Sequence, residues 1–331
     1  MTIDLSNISY KVVAILSDGT QIYLSSAAQN IAWEENESEL AVRLNLTIRD
    51  VAYEGGRLAT KLALCTVVYL YANWGMGEKE IFRGTIWEWQ HSEMHDDEIV
   101  ITCYDQLYYL QKSQDNRYYA KGTGTKKIIM DICSAWKVPQ GVYAGPDVKH
   151  KKILYKSKTI AAMIKDALAD AKDLGGVEAF ARSAAGKIDI LPFGSNEDVF
   201  LFKVGENLSV STDKYSMVNL VTRVVVTGKD DSKGRPKVVA TIDGKTEYGI
   251  LQTFHAKGDA TTAEAKKAAQ KIIDEKGKPT RTTTLRAPDF PLIRKGDKIY
   301  VETDAMKGYY YVKGVSHNAT NGLMNMEVKP V

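Results

Sequence analysis

Across "SELAVRLNLTI", Leu40, Val42, Leu44, Leu46 and Ile48 take every second position and polar residues the positions between. A period of two predicts a strand with one face buried and one face wet. "LCTVVYLYANW", "KEIFRGTIWEWQ" and "DEIVITCYD" follow, rich in β-branched and aromatic residues, which suit a pleated surface. "GMGE" near Gly75 and "SEMHDD" near His95 separate them as turns. The first hundred residues therefore read as an antiparallel meander, curved or closed into a barrel.

The period then changes. In "GTGTKKIIMDICSAW", Ile128, Ile129, Ile132, Cys133 and Trp136 fall on one helical face, with Thr125 as the expected N-cap and Pro139 and Gly141 closing the segment. A second helix is predicted over "SKTIAAMIKDALADAKDLGG", with an apolar stripe of Ile160, Met163, Ile164, Ala167, Leu168 and Ala171. Gly175 and Gly176 supply its stop. Strands return at "EAFARSAAGKIDILPF", where "AAGK" reads as a hairpin turn on Gly186, and at "VNLVTRVVVTG". One helix interrupts them: Thr261 and Glu264 match a capping box and Gly277 a C-terminal stop. Three strands end the chain: "GDKIYVET", "GYYYVKGVSHNA" and "GLMNMEV".

The predicted fold class is mainly β within α+β: two β-barrel-like domains with a helical, α+β middle domain. The expected boundaries are 1–112 for the first barrel-like domain, 113–212 for the middle domain, and 213–331 for the second barrel-like domain with its inserted helix. A length of 331 residues suits such a multi-domain chain.

Charge sharpens this picture. The net charge of +3 is unevenly spread. Residues 1–111 carry 7 lysines and arginines against 16 acidic residues, and residues 112–172 carry 13 against 5. An acidic first third followed by a basic segment suggests polar, oriented assembly surfaces. The chain has no apolar run of membrane-spanning length, and "MTIDLSNISYKVV" lacks the basic start of a secretory leader. Cys65, Cys103 and Cys133 do not show metal-ligand spacing. They are expected to be buried, reduced thiols of a protein made in the cytosol.

Chemical motifs fail one by one. His91 and His95 are four apart with Glu93, Asp96 and Asp97 nearby, but the glutamate is misplaced for a zinc-protease helix and the context is a hairpin tip. Ser134 to Lys137 and Ser211 to Lys214 both match Ser-x-x-Lys, without the companion motifs of acyl enzymes. "KGTGTKK" is too short for a phosphate-binding loop and reads as a turn into a helix. Neither a nucleophile elbow nor a carboxylate pair stands out. Tyr108, Tyr109, Tyr118 and Tyr119 mix with Arg117, Lys121, Lys126 and Lys127 as a stacking platform for nucleic acid would. Tyrosine doublets recur at Tyr309 and Tyr310 inside a strand, however, and the acidic first third disfavours polyanion binding. The expectation is a protein with no catalytic residue, cofactor or metal.

A family resemblance gives that absence a meaning. The stretch "FPLIRKGDKIYVETDAMKGYYYVKGVSHNATNGLMNMEV" resembles the end of baseplate hub proteins from contractile phage tails, through Gly296, Asp297, Tyr309, Tyr310, Val315, His317, Met324 and Val328. "IFRGTIWEWQ" resembles the hub's F-x-G-x-I strand, and "CYDQLYYLQKS" with its glycine turn resembles the exit from the first barrel. The likeness spans nearly the whole chain in order. It points to the hubs of defective-prophage tails and phage-like bacteriocins of Gram-positive bacteria.

The resemblance implies a homotrimer with two similar barrels per subunit. Such a ring is pseudo-sixfold, with the sixfold tail tube on one face, a threefold spike on the other, and baseplate wedge proteins alongside. It implies assembly in the bacterial cytoplasm into a tail particle, with no specific nucleic acid and no membrane insertion. On this reading Tyr104 to Cys133 is a joint between domains, and Tyr118 and Tyr119 are assembly contacts. A tail-associated cell-wall hydrolase and a free-standing β-rich module binding carbohydrate or nucleic acid are the alternatives.

Overall fold

The computed structural model describes residues 8–92, 97–230, 233–256 and 261–331. It has the mainly-β, α+β fold expected. The first strands are β1 (Ser9–Ile15), β2 (Gln21–Tyr23), β3 (Ala28–Glu35), β4 (Arg43–Arg49), β5 (Val67–Asn73), β6 (Glu78–Ser92) and β7 (Glu98–Tyr104). The middle of the chain holds β8 (Gln114–Tyr119), α1 (Thr125–Ala135), β9 (Gln140–Tyr143), β10 (Ile153–Thr159), α2 (Ile160–Asp173), β11 (Ala179–Ala184) and β12 (Lys187–Pro192). Then come β13 (Phe200–Lys203), β14 (Val210–Ser216), β15 (Arg223–Asp230), β16 (Pro236–Asp243), β17 (Gln252–Ala256), α3 (Thr262–Lys276), β18 (Thr280–Pro288), β19 (Lys298–Glu302), β20 (Lys307–Asn318) and β21 (Leu323–Pro330).

One sheet of 13 strands runs β14-β18-β21-β20-β3-β4-β7-β6-β5-β1-β2, with β19 beside β20 and β13 beside β19. Its early part is the predicted meander: β5, β6 and β7 pair antiparallel in chain order. The period of two in β4 holds, with Leu44, Leu46 and Ile48 buried. These residues join Val12, Ile22, Leu70, Ile86, Ile99 and Cys103 in one core. A second core gathers Phe202, Leu285, Ile293, Ile299, Val312, Val315, Met324 and Met326. The two halves of the sheet meet where β20 pairs antiparallel with β3, with Val315 opposite Glu35 and His317 opposite Trp33.

The helices pack a third core. Ile128, Ile129 and Ile132 of α1 and Ile160, Met163, Ile164, Ala167 and Leu168 of α2 are buried with Leu107, Leu110, Tyr119 and Tyr155. Thr159 caps α2 by accepting the Ala162 N–H at 3.3 Å. The expected cap of α1 is corrected. Gly124 is the N-cap, and the hydroxyl of Thr125 turns instead to His150 Nε2 at 2.8 Å. Asp147 takes over the capping role by accepting the Lys126 N–H at 3.1 Å. A Cβ on residue 124 would collide with that carboxylate, so the glycine makes room for a cap from outside the helix. At the predicted hairpin, Ala185 and Gly186 both take positive φ, as a two-residue turn of the primed type requires.

Residues 212–283 form one compact unit, and the rest of the described chain the other. Within 212–283, β16, β15 and β17 make a three-stranded sheet. Helix α3 covers it through Ala265 and Ala269 against Val224, Val226 and Ala240. The capping box predicted at Thr261 and Glu264 is present in full. Cys103 and Cys133 are buried as expected, and burial pushes the Cys133 thiol up to about 11. Cys65 departs from expectation: it is exposed, in a turn where its φ is 67°. No described helix is long and apolar enough to cross a membrane.

Candidate joint and assembly surfaces

The tyrosine-rich segment from the end of β7 packs into the helical core. Tyr104 and Tyr108 stack with ring centroids 3.7 Å apart. Trp87 meets Tyr108 edge-on at 4.7 Å and Tyr109 at 4.8 Å. Gln111 Oε1 accepts the backbone N–H groups of Leu40 and Ala41, both at 2.7 Å, which ties the segment to the loop before β4. Leu107 and Leu110 are buried beneath it. The two predicted contact residues then part company. Tyr119 is buried, its hydroxyl 3.4 Å from the Ile128 carbonyl. Tyr118 is 62 % exposed and lies opposite Leu154, itself 54 % exposed. Strand alternation puts neighbours on opposite faces, so a doublet at this place supplies one residue to the core and one to the surface.

Beside this segment sits a cluster of charges, most of them buried. Glu35, 3 % exposed, accepts from Arg294 Nε at 2.6 Å. Arg294 also donates to the Ser183 carbonyl at 2.8 Å, and its N–H to Asp297 Oδ2 at 2.9 Å. Arg182 lies 3.3 Å from Asp297 Oδ1. Lys295 donates to the carbonyls of Asn36 at 3.2 Å and Glu39 at 2.9 Å. Asp105 holds the Val42 and Leu107 N–H groups at 3.0 and 2.9 Å. A cavity of about 220 Å³, lined by Asp105, Ser183, Gly186, Phe82 and Arg294, opens beside the cluster.

Burial and pairing pull these groups in different directions. Burial raises the Asp105 carboxyl to about 7, with the nearby Glu35 adding to the rise. Burial lowers the Lys295 ammonium to about 8. Burial also acts to raise Glu35, but the charge and hydrogen bond of Arg294 outweigh it and hold the carboxyl below its usual range. Residues of all three cores' segments are therefore tied by charge-assisted bonds, which are strong and geometrically demanding.

A second polar group lies where β20 meets β3. His317 Nδ1 is 2.6 Å from Asp289 Oδ1, and Nε2 is 3.0 Å from the Ile293 carbonyl. The Tyr10 hydroxyl donates to the other Asp289 oxygen. The imidazole stacks on Trp33 with centroids 4.4 Å apart and planes within 6°. Both ring nitrogens face oxygen acceptors and His317 is buried, so the imidazole ties β20 to the 289–293 segment and stacks on β3 through Trp33. His150 in the middle segment is similar, held between Thr125 and Asp170.

The candidate metal and nucleophile motifs resolve differently. His95 and its neighbours Glu93 and Asp96 lie outside the described residues. His91 comes within 3.3 Å of Asp50 and 3.7 Å of Asp97. Arg57 pairs with both carboxylates, and Asp50 also accepts the Ala59 N–H at 2.9 Å, so a guanidinium balances one of the two carboxylate charges in this cluster. Ser134 is exposed on α1, with Lys137 beyond the helix end at φ 52°. Ser211 lies in a strand, where residues three apart face opposite sides.

Both strand-built halves also carry tyrosines outward. Leu201, Tyr300 and Tyr309 lie side by side across β13, β19 and β20, with the Tyr300 and Tyr309 rings 5.0 Å apart. Tyr69 and Tyr71 stack on β5 at 6.0 Å, with Arg83 and Lys11 over their faces. Pairing alternation would have marked these positions in the sequence, whereas the buried charges Glu35 and Lys295 read there as ordinary surface residues.

Comparison with known proteins agrees with this fold. The "Phage-like element PBSX protein XkdQ" of Bacillus subtilis strain 168 is 25 % identical over 264 residues, covering 76 % of this chain and 80 % of that protein. The 43 kDa tail protein of prophage MuSo2 from Shewanella oneidensis has a similar structure, with a TM-score of 0.66, 13 % identity, and coverage of 97 % of this chain and 98 % of that one. An E. coli component of the type VI secretion system, described as structurally similar to T4 phage tail proteins, gives a TM-score of 0.53 at 12 % identity over 92 % of this chain and 74 % of its own. The YQBQ-like family model matches residues 31–329, nearly the whole chain, and the protein belongs to that family.

Proposed function

We propose that this protein is a structural component of a phage-type tail and, more specifically, the baseplate hub. Three copies form a ring with two strand-built halves per copy, so six similar elements face the sixfold tube while the ring keeps threefold symmetry for the spike. The observation that carries the reading is the pair of separate β cores within one continuous sheet, joined at the β3–β20 pairing. The similarity to prophage tail proteins and to a type VI secretion component supports a tail role. Residues 1–112, 113–212 and 213–331 are its three domains, and the compact 212–283 unit makes up the first part of the last one.

The partners are the protein itself, the tail tube, the spike and the wedge proteins, met in the bacterial cytoplasm before release of the particle. The role needs no catalysis, and the buried His317 and His150 arrays are fastenings. Light scattering over a range of concentrations tests the reading. A mass of three chains of 36.7 kDa supports it. A monomer or dimer at every concentration, with or without the spike protein, rejects it.

A further inference from the structure

The geometry points to a specific contact between copies: the ribbon face centred on Tyr118 and Leu154 of one copy docks on the outer face of β6 and β7 of the next. The inference rests on the ring reading above and names the surfaces that close it. On β10, Ile153 and Tyr155 turn into the helical core, while Leu154 and Lys156 face out with Lys152 just before them. Tyr118 lies directly across from Leu154. The result is an exposed apolar pair with a lysine about 7 Å to either side along the strand.

The outer face of β7 is its counterpart. Ile99, Ile101 and Cys103 turn into the first core, and Glu98, Val100 and Thr102 face out. Val100 is 41 % exposed. Glu98 stands two residues before it, and Glu88 lies across from Thr102 on the other side. Arg49, opposite Glu98 on β4, stands at the rim. Each face thus has an apolar centre with two charges of one sign around it, lysines on one face and glutamates on the other, with Arg49 across from Glu98 offsetting part of the acidic charge.

This local match follows the wider imbalance, acidic over residues 1–111 and basic over 112–172. Within one copy the residues of both faces lie at the surface. Two different patches on one chain make a head-to-tail contact, which builds a ring when its rotation closes. Complementary charge sets the register, and the apolar centre supplies desolvated contact.

The test is charge reversal in the full chain, read by light scattering with folding checked by circular dichroism. Lys152→Glu with Lys156→Glu, and separately Glu88→Lys with Glu98→Lys, are expected to weaken assembly about tenfold or more. The wild-type assembly should also loosen as salt rises. Combining all four changes in one chain restores attraction and should restore assembly. Folded double variants that assemble like wild type overturn this contact and leave the ring reading intact. So does loss of assembly without recovery in the fourfold variant. A lysine variant that keeps its mass but loses binding to duplex DNA gives this face to nucleic acid instead. A wild-type chain that stays monomeric, alone and with the spike protein, overturns both readings.

Discussion

Glu35 and Arg294 are 259 positions apart in the chain and 2.6 Å apart in the structure. Around that bond the protein concentrates charge that sequence composition would assign to water. An ion pair of this kind contributes less to net stability than its Coulomb energy suggests, because both ions lose hydration. Its importance is conditional: without Arg294, Glu35 is a buried carboxylate that has lost its main partner.

Arg294→Ala is therefore expected to cost about 3–5 kcal/mol, seen as a lower urea midpoint with an unchanged slope. Replacing both Glu35 and Arg294 by leucine should cost much less than the single change. If the single and double variants unfold at the same urea concentration, the charge left behind is not what destabilises.

The combined contribution of Asp105 and Lys295 to stability should pass through a minimum near neutral to mildly alkaline pH. Asp105 titrates near 7 in the folded chain, above the usual carboxylate range, so between these limits the folded state binds more protons than the unfolded one. Its contribution to stability is present at low pH and falls as pH rises towards 7. Lys295 titrates near 8, below the usual ammonium range, so from there upward the folded state binds fewer protons and stability recovers. Urea unfolding of wild type and Asp105→Asn from pH 5 to 8 checks the first limb. The wild type should lose stability relative to the variant as pH rises, and parallel curves would assign the slope to other groups.

Gly296 lies at φ +91°, and a Cβ there would meet the Phe180 ring at 1.8 Å. Gly296→Ala combines a left-handed backbone cost of about 1–2 kcal/mol with a displaced aromatic ring. A lowered melting temperature is expected, and the loss on Gly296→Ala should be smaller in a Phe180→Ala background, where the clash is gone but the backbone strain remains. An equal loss in both backgrounds would mean that the backbone alone sets the cost.

His317→Leu should release Asp289 and unstack Trp33. Removing a buried charge-assisted bond costs about 1.5–3 kcal/mol, and intrinsic tryptophan fluorescence should shift as the indole loses its neighbour. Wild-type fluorescence and stability in this variant would remove His317 from the fastening of β20 to β3.

Local pattern carried much of this structure. The alternation from Leu44 to Ile48, the stripe of α2 and the capping box at Thr261 were legible because each is set by residues within one or two turns. The cap of α1 was not, since Asp147 reaches Lys126 from 21 positions away and no neighbouring residue announces it. Tyr118 lies at the surface, and reading "RYY" with a period of two would have sent Tyr119 inward. The charge cluster was hidden for a different reason. Glu35, Asp105 and Lys295 acquire burial from segments far apart in the chain, and a charged residue carries no local mark of it.

The pairing of β20 with β3 has a consequence for how the protein comes into being. The first core can collapse early, but its sheet keeps an open edge at β3 until residues 315–318 arrive. Contacts so distant in sequence form late and slow the search for the native state. On the ribosome, an unfinished chain would hold an unpaired strand edge of the sort that invites aggregation or chaperone capture. Completion of the fold then works as a checkpoint, because only a chain that has placed its late strand on its early one has a rigid subunit to offer to an assembling particle.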